Sequence, residues 1–275
     1  MKHLEKGNKE AMNKILLTSL ILFSFNAVGE ITPEIKALKD NPKSVLFIGN
    51  SYLYYNDSLH NHFKNMANER FDNFNGSNKV KSATIGGSRL KHHDVERLIQ
   101  PLAISSIEKF DLVILQGGSG EVLLESDRIE FNEVAQKHIE TIRSKDIEPA
   151  LYMTHAYTES HKNYAPDLIR SIQKMYTLSG NANQALVIPV GLAFEAAYKE
   201  RPDIKLHKLD GTHPDLLGTY LAACTVFASV FGESPVGINY DYNGSVSPED
   251  KLFLQKIAQL TVNNYYGLSG YHSAE

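Results

Sequence analysis

Cysteine is almost absent from this chain, and its scarcity limits the chemistry available. Cys224 is the only cysteine among 275 residues, so neither an intrachain disulfide nor a metal cluster held by several cysteines can form. Cys224 lies in an apolar segment, residues 220–227, which predicts that it is buried as a small hydrophobic residue. We therefore expect the fold to depend on its core and not on covalent cross-links.

An excess of positive charge is also lacking. Lys and Arg total 28 against 32 Asp and Glu, which gives a formal net charge of −4. Because nucleic-acid binding needs a basic surface to neutralise phosphates, we do not expect a nucleic-acid partner. Small molecules or neutral polymers are the expected partners. With 42% hydrophobic residues, the chain can bury one sizeable core.

The apolar run near the N-terminus is too short to span a bilayer. It covers residues 15–25, whereas a membrane-spanning helix needs about 20 apolar residues. The run follows Lys14 and precedes small residues at a possible cleavage site after Gly29, a pattern typical of a secretory signal peptide. We predict a signal peptide over residues 1–29 and a single domain over residues 30–275.

This interpretation predicts a secreted or periplasmic protein. No cysteine follows the apolar run to accept a lipid, so a stable membrane anchor is not expected. Met12 is an alternative start to Met1, since the charged residues between them are unusual in a signal peptide. A buried or membrane-anchoring N-terminal helix is the competing interpretation.

Beyond residue 40, strand-like and helix-like segments alternate. Apolar β-rich runs predict strands at residues 44–48, 79–85, 111–115, 150–154 and 185–190. Apolar periodicity predicts helices at residues 59–70, 94–100, 104–110, 129–144, 167–178, 192–201, 214–231 and 248–266. This alternation favours parallel pairing with right-handed crossovers, and therefore a three-layer α/β/α sandwich around a five-stranded parallel sheet.

Two short motifs carry the residue types of a hydrolytic triad. Gly49-Asn50-Ser51 follows the first predicted strand and presents a serine on a turn. Asp210 and His213 are three residues apart, immediately before Pro214, which we expect at the first position of a helix. A serine hydroxyl needs a nearby imidazole to take its proton, and the imidazole needs an acid to fix its tautomer. Taken alone, Asp210 and His213 are equally consistent with a purely structural role, in which Asp210 closes a turn and His213 starts a helix.

These motifs resemble conserved sequence blocks of the SGNH, or GDSL-type, hydrolases, a superfamily of esterases and lipases. Gly49-Asn50-Ser51 resembles the first block, with Asn50 in place of the usual Asp. Gly87 resembles the glycine of the second block, and Asp210 through Pro214 resembles the fifth; the likeness extends over residues 44–231. The resemblance implies a flavodoxin-like sheet, no cofactor, and a serine mechanism with Ser51 as nucleophile, His213 as base and Asp210 as the orienting acid.

The resemblance is incomplete at the oxyanion hole. The backbone N–H groups of Ser51 and Gly87 are the candidate donors, since a residue without Cβ lets a ligand approach the backbone closely. The family's third block places an asparagine after the third strand, where this chain has Gln116, two glycines and Ser119. We predict Gln116 as the third donor, with Ser119 as the alternative.

Other residues near the predicted strand ends have open roles. Tyr52, Tyr54 and Tyr55 follow the nucleophile and either stack on a sugar or acyl group or pack between helix and sheet. His155 follows the fourth strand and either contacts substrate or packs in the core. No metal site is expected, because no third ligand lies near His155 and His161 in the sequence.

The sequence thus predicts a serine ester hydrolase that forms an acyl-enzyme on Ser51. The expected substrate is a small acyl ester, including O-acetylated carbohydrate. An acyltransferase would use the same residues and exclude water from the acyl-enzyme. A catalytically inert carbohydrate-binding relative is the non-enzymatic alternative, but such a protein would have no need for Ser51, Asp210 and His213 together.

Overall fold

The computed structural model describes residues 31–268, and its centre is a parallel β-sheet. Its strands pair in the order β2-β1-β3-β4-β5, and every pairing is parallel. The strands are β1 (Val45–Gly49), β2 (Val80–Thr84), β3 (Leu112–Gln116), β4 (Glu148–Tyr152) and β5 (Leu186–Ile188). The five predicted strands and their parallel arrangement are confirmed.

Helices cover both faces of this sheet. Every residue of β1 and β3 is buried, and since successive side chains point to opposite faces, both faces must be covered. The helices are α1 (Ser51–Tyr54), α2 (Leu59–Arg70), α3 (Gly76–Lys79), α4 (Val95–Leu98), α5 (Glu125–Arg143), α6 (Leu168–Ala182), α7 (Val190–Glu200), α8 (Leu216–Phe231) and α9 (Pro248–Tyr266). The expected three-layer sandwich is confirmed.

Two predicted helix positions are wrong. Residues 104–110 are irregular, with Ser105 in the left-handed region at φ 59°, and that conformation interrupts a helix. Helix α8 begins at Leu216 and not at Pro214, because the side chain of Asp215 caps it by accepting from the Leu216 N–H. Pro214 instead forms an isolated antiparallel bridge with His207.

The apolar core is continuous through the sheet and the helices around it. Helix α8 is buried along almost its whole length and packs against α2, α7 and α9. Cys224 lies in this helix and is fully buried, as its apolar surroundings predicted. Among residues 31–268, no helix is both long and apolar enough to cross a membrane. The predicted signal peptide lies outside the described residues.

The strand order locates the crevice where a ligand is expected. Strand β1 lies between β2 and β3, so the chain leaves β1 in one direction and returns to its other side. In open parallel sheets, ligands bind beyond the carboxyl ends of the strands at such a switch point. The residues there are Asn50 and Ser51 after β1, and Gln116 at the end of β3.

Candidate active site

Asn50 fixes the turn that carries Ser51. Its side-chain oxygen accepts from the Tyr52 N–H at 3.1 Å, which caps α1, and its amide nitrogen donates to the Ser88 carbonyl at 2.9 Å. Ser51 is therefore the first residue of a short helix directly after β1, and it is 8% exposed. Asn50 thus satisfies the local backbone as an ionised aspartate could not, since an amide can donate to a carbonyl and a carboxylate cannot.

A tight loop carries Asp210 and His213. The bridge between His207 and Pro214 closes it, and the Lys208 N–H donates to the His213 carbonyl at 2.8 Å. Gly211 has φ +70°, and a Cβ there would lie 2.7 Å from the Thr158 hydroxyl oxygen. Only glycine adopts this backbone without strain, so the loop conformation depends on Gly211.

The two motifs meet although 162 positions separate Ser51 from His213. The Nε2 atom of His213 lies 2.9 Å from the Ser51 hydroxyl oxygen. The Nδ1 atom of the same ring lies 2.7 Å from Oδ2 of Asp210. These are hydrogen-bond distances, and the order of hydroxyl, imidazole and carboxylate is the one that a catalytic triad requires.

The carboxyl group of Asp210 is held in its ionised form. Partial burial opposes ionisation, but hydrogen bonds from the Thr212 N–H and from the side chain and N–H of His213 outweigh it and lower the pKa of Asp210 to about 2. The Thr212 and His213 N–H groups donate to Oδ1 at 2.9 and 3.0 Å. Because Oδ1 is occupied in this way, Oδ2 is directed at the imidazole, whose proton must then be on Nδ1 and leave Nε2 free to accept.

Gly87 lies beyond the end of β2, on an exposed turn. Its φ of +67° is in the left-handed region, and a Cβ added there would meet nothing within 4 Å. The backbone at Gly87 is thus open to solvent, and its role as an oxyanion donor stays a prediction.

Gln116 lies beneath the nucleophile turn. Its side-chain oxygen accepts from the Asn50 N–H at 2.8 Å, and its amide nitrogen donates to the Gly117 carbonyl. The residue is 1% exposed, whereas Ser119 is half-buried. An amide has two N–H groups, so the contact with Gly117 leaves one donor for another acceptor. Gln116 as third oxyanion donor stays a prediction, with Ser119 as its alternative.

The three tyrosines after the nucleophile have different positions. Tyr52 is buried and stacks on His155, with ring centroids 4.2 Å apart. Tyr55 stacks on the imidazole of His213 at 4.4 Å, and Tyr54, which is 41% exposed, stacks on Tyr55. Tyr54 and Tyr55 therefore form an aromatic surface beside the triad.

His155 is a core residue that reaches the loop of the triad. It is 1% exposed, and its Nε2 atom lies 2.8 Å from the Thr212 carbonyl oxygen. Sequence reasoning placed His155 at the active edge of the sheet but left packing and substrate contact open, and it did not single out Thr212. The position of Thr212 between Asp210 and His213 was the available signal. Within residues 31–268, no group of three His, Cys, Asp or Glu side chains could hold a metal ion.

No protein-family model matches the sequence, and no curated protein matches it either. Solved structures do resemble it. A DUF4886 family protein from Bacteroides uniformis has a TM-score of 0.62 at 18% identity, over 81% of this chain and 95% of its own. A proposed SGNH hydrolase from Slackia heliotrinireducens has a TM-score of 0.52 at 18% identity, and the match covers 68% of this chain and 97% of that one.

The acetyl xylan esterase AlAXEase also has a TM-score of 0.52 at 18% identity, over 68% of this chain and 100% of its own. At this level of identity the comparisons establish the fold. The chain has the fold of the SGNH hydrolases, which confirms the resemblance that the sequence motifs indicated.

Proposed function

We propose that this protein is a serine ester hydrolase. The observation that carries the proposal is the chain of contacts from Ser51 through His213 to Asp210, at the carboxyl edge of a sheet with the SGNH hydrolase fold. An imidazole with one nitrogen on a serine hydroxyl and the other on a carboxylate has the geometry of an activated nucleophile.

In the proposed reaction, Nε2 of His213 takes the proton of Ser51 as the serine oxygen attacks the ester carbonyl carbon. The resulting imidazolium is stabilised by Asp210 and then gives its proton to the departing alcohol, which leaves an acyl group on Ser51. A water molecule, deprotonated by the same imidazole, attacks this acyl-enzyme. The acid is released and Ser51 is restored.

The oxyanion of each tetrahedral intermediate would be bound by the backbone N–H groups of Ser51 and Gly87 and by a third donor. We expect Gln116→Met, which keeps the side chain's length but removes its N–H groups together with the oxygen that accepts from the Asn50 N–H, to lower kcat about 10²-fold with little change in KM. Ser119→Ala is the matched test of the alternative donor. Steady-state kinetics on both variants, with thermal melting to verify folding, checks this.

A large loss confined to Ser119→Ala would transfer the donor role to Ser119. If both variants keep kcat within threefold of the parent, the loop after β3 supplies no side-chain donor, and the assignment is wrong.

We propose that the substrate is an acyl ester on a carbohydrate, with acetyl the simplest acyl group. The aromatic surface of Tyr54 and Tyr55 beside His213 supports this, because tyrosine rings present flat apolar faces to sugar rings and hydroxyls at their edges. A solved structure with the same fold is an acetyl xylan esterase. We also propose that the protein acts outside the cytoplasm, in agreement with the signal peptide that the sequence predicts.

The substrate class can be tested with a panel of esters. We expect the purified protein to release p-nitrophenol from p-nitrophenyl acetate and acetate from acetylated xylan, and to cleave long-chain acyl esters poorly. Tyr54→Ala should raise KM for the acetylated polysaccharide and leave p-nitrophenyl acetate hydrolysis nearly unchanged. Acetate release measured by an enzyme-coupled assay checks both results.

The other outcomes separate the alternatives. Transfer of the acyl group to an added saccharide without acetate release would indicate an acyltransferase. Saccharide binding without turnover of any ester would indicate the inert relative and would contradict the hydrolase proposal.

A further inference from the structure

We propose that Tyr52 and His155 are positioning residues, which hold Thr212 and thereby keep the loop of Asp210 and His213 aligned with Ser51. The inference rests on the proposed function, because it assigns a role to the surroundings of that same triad. It goes beyond the triad in naming the two side chains that fix its geometry.

Thr212 is bonded through its carbonyl, its hydroxyl and its N–H. Its carbonyl oxygen accepts from Nε2 of His155 at 2.8 Å, and its hydroxyl lies 2.7 Å from the Tyr52 hydroxyl. Its N–H donates to Asp210. The same loop is bonded at Gly211, whose carbonyl accepts from the Thr158 N–H at 2.9 Å, whereas its Leu209 side chain is 99% exposed. Contacts to Thr212 are therefore well placed to fix the loop from within.

Tyr52 connects the two halves of the site directly. It follows Ser51, and Thr212 precedes His213, so two neighbouring hydrogen bonds join the same two segments: Ser51 to His213 and Tyr52 to Thr212. A shift of the loop that lengthened one of these bonds would strain the other. Catalysis by an imidazole base is sensitive to displacements of this kind, because attack requires close alignment of the reacting atoms.

The surroundings of His155 are those of an aromatic core residue, but its ring also carries a hydrogen-bond donor. Its ring is sandwiched between Tyr52 at 4.2 Å and Phe194 at 4.3 Å, both nearly parallel to it. Burial lowers its pKa well below the ordinary value, so the ring is neutral, and its one proton must be on Nε2 because the Thr212 carbonyl only accepts.

Its other nitrogen, Nδ1, is buried and has no hydrogen-bond partner within residues 31–268. An unpaired buried nitrogen costs free energy that a phenylalanine at this position would avoid. The donor at Nε2 is the gain that offsets this cost. His155 thus combines the shape of an aromatic core residue with one N–H aimed at the loop of the triad.

Two substitutions separate the ring of His155 from its donor. His155→Phe keeps an aromatic ring between Tyr52 and Phe194 and removes the N–H, whereas His155→Gln keeps an N–H at the Nε2 position and removes the ring. We expect His155→Phe to lower kcat about 10- to 100-fold with KM within threefold of the parent. His155→Gln should recover part of that loss if its fold is stable by thermal melting.

A double-mutant cycle tests the second contact. Tyr52→Phe and Thr212→Val each remove one hydroxyl, and we expect the double variant to lose no more activity than the worse single variant, because both remove the same bond. The control is Tyr266→Phe, which deletes a buried phenol bond of 2.9 Å to the Val187 carbonyl, away from the triad. It should keep kcat within twofold.

A spectroscopic measurement separates this inference from the proposed function. The downfield proton signal of His213 Nδ1–H, bonded to Asp210, should shift or broaden in His155→Phe and stay unchanged in Tyr266→Phe. If the parent protein hydrolyses no ester, the proposed function fails while this signal still tests the alignment of the loop. The inference is overturned if His155→Phe leaves both kcat and the signal unchanged, or if additive losses appear in the double-mutant cycle.

Discussion

Replacing Ser51 with alanine is expected to lower kcat by about 10⁴-fold or more and to abolish covalent labelling by a fluorophosphonate. The hydroxyl 2.9 Å from His213 Nε2 is the group that attacks the ester and carries the acyl group in the proposed mechanism. Without it, what remains is the contribution of binding and of the oxyanion donors. Ester hydrolysis kinetics and mass analysis of the labelled peptide check the result, and His213→Ala should show a comparable loss.

Ser58→Ala is a matched control for this prediction. Ser58 lies seven residues further along the chain, before α2, and its side chain makes no capping hydrogen bond to that helix. We expect this variant to keep full activity and full labelling. Labelling of Ser51→Ala at the parent's rate would show that a different nucleophile reacts, and would refute the assignment of Ser51.

Asp210→Asn is expected to lower kcat by about 10⁴-fold while the fold is retained. Oδ1 of Asp210 accepts from two backbone N–H groups, so an asparagine must keep its carbonyl oxygen there and turn its amide nitrogen toward His213. That nitrogen can only donate, which forces the imidazole to carry its proton on Nε2. His213 could then no longer accept the proton of Ser51.

The pH dependence provides a second measurement for the same variant. Because the pKa of Asp210 is about 2, its carboxylate stays ionised through the neutral and mildly acidic range. In the parent, a fall of kcat/KM on acidification within the neutral and mildly acidic range should therefore not arise from protonation of Asp210. In Asp210→Asn, the residual activity should no longer follow the parent's profile.

Asp215→Asn is the control, since Asp215 carries a carboxylate on the same loop, where it caps α8. It should keep kcat within about twofold of the parent, because an asparagine oxygen can still accept from the Leu216 N–H. If Asp210→Asn retains kcat within a few-fold of the parent, the role of the Asp210 and His213 pair is wrong.

The sequence predicted the sheet well because its strands are buried on both faces. Runs such as that of β1 and β3 are continuously apolar, and this pattern distinguishes them from the amphipathic helices between them. The errors occurred where local periodicity competes with tertiary contacts. Residues 104–110 have a helical pattern but form a loop. Pro214 forms a β-bridge with His207 and does not start α8.

Some features of the candidate site could also be predicted from the sequence, and others could not. The chemical types and order of Ser51, Asp210 and His213 are explicit in the sequence, because short motifs place them at a strand end and before a helix. The orientation of the Gln116 amide beneath Asn50 has no sequence signature. Neither has the stacking of His155 between Tyr52 and Phe194, since these residues lie in three separate segments of the chain.

By itself, then, the sequence determined the class of fold and the three groups of the proposed triad, because hydrophobic periodicity and short motifs are local properties. Tertiary structure alone decided the distances between these groups, the tautomer that Asp210 imposes on His213, and the contacts through which Tyr52 and His155 hold Thr212. Those features depend on close packing between segments that are far apart in the chain. Tyr52 and Thr212, for example, are separated by 160 positions. Packing at that range is set by the whole fold and not by any one segment.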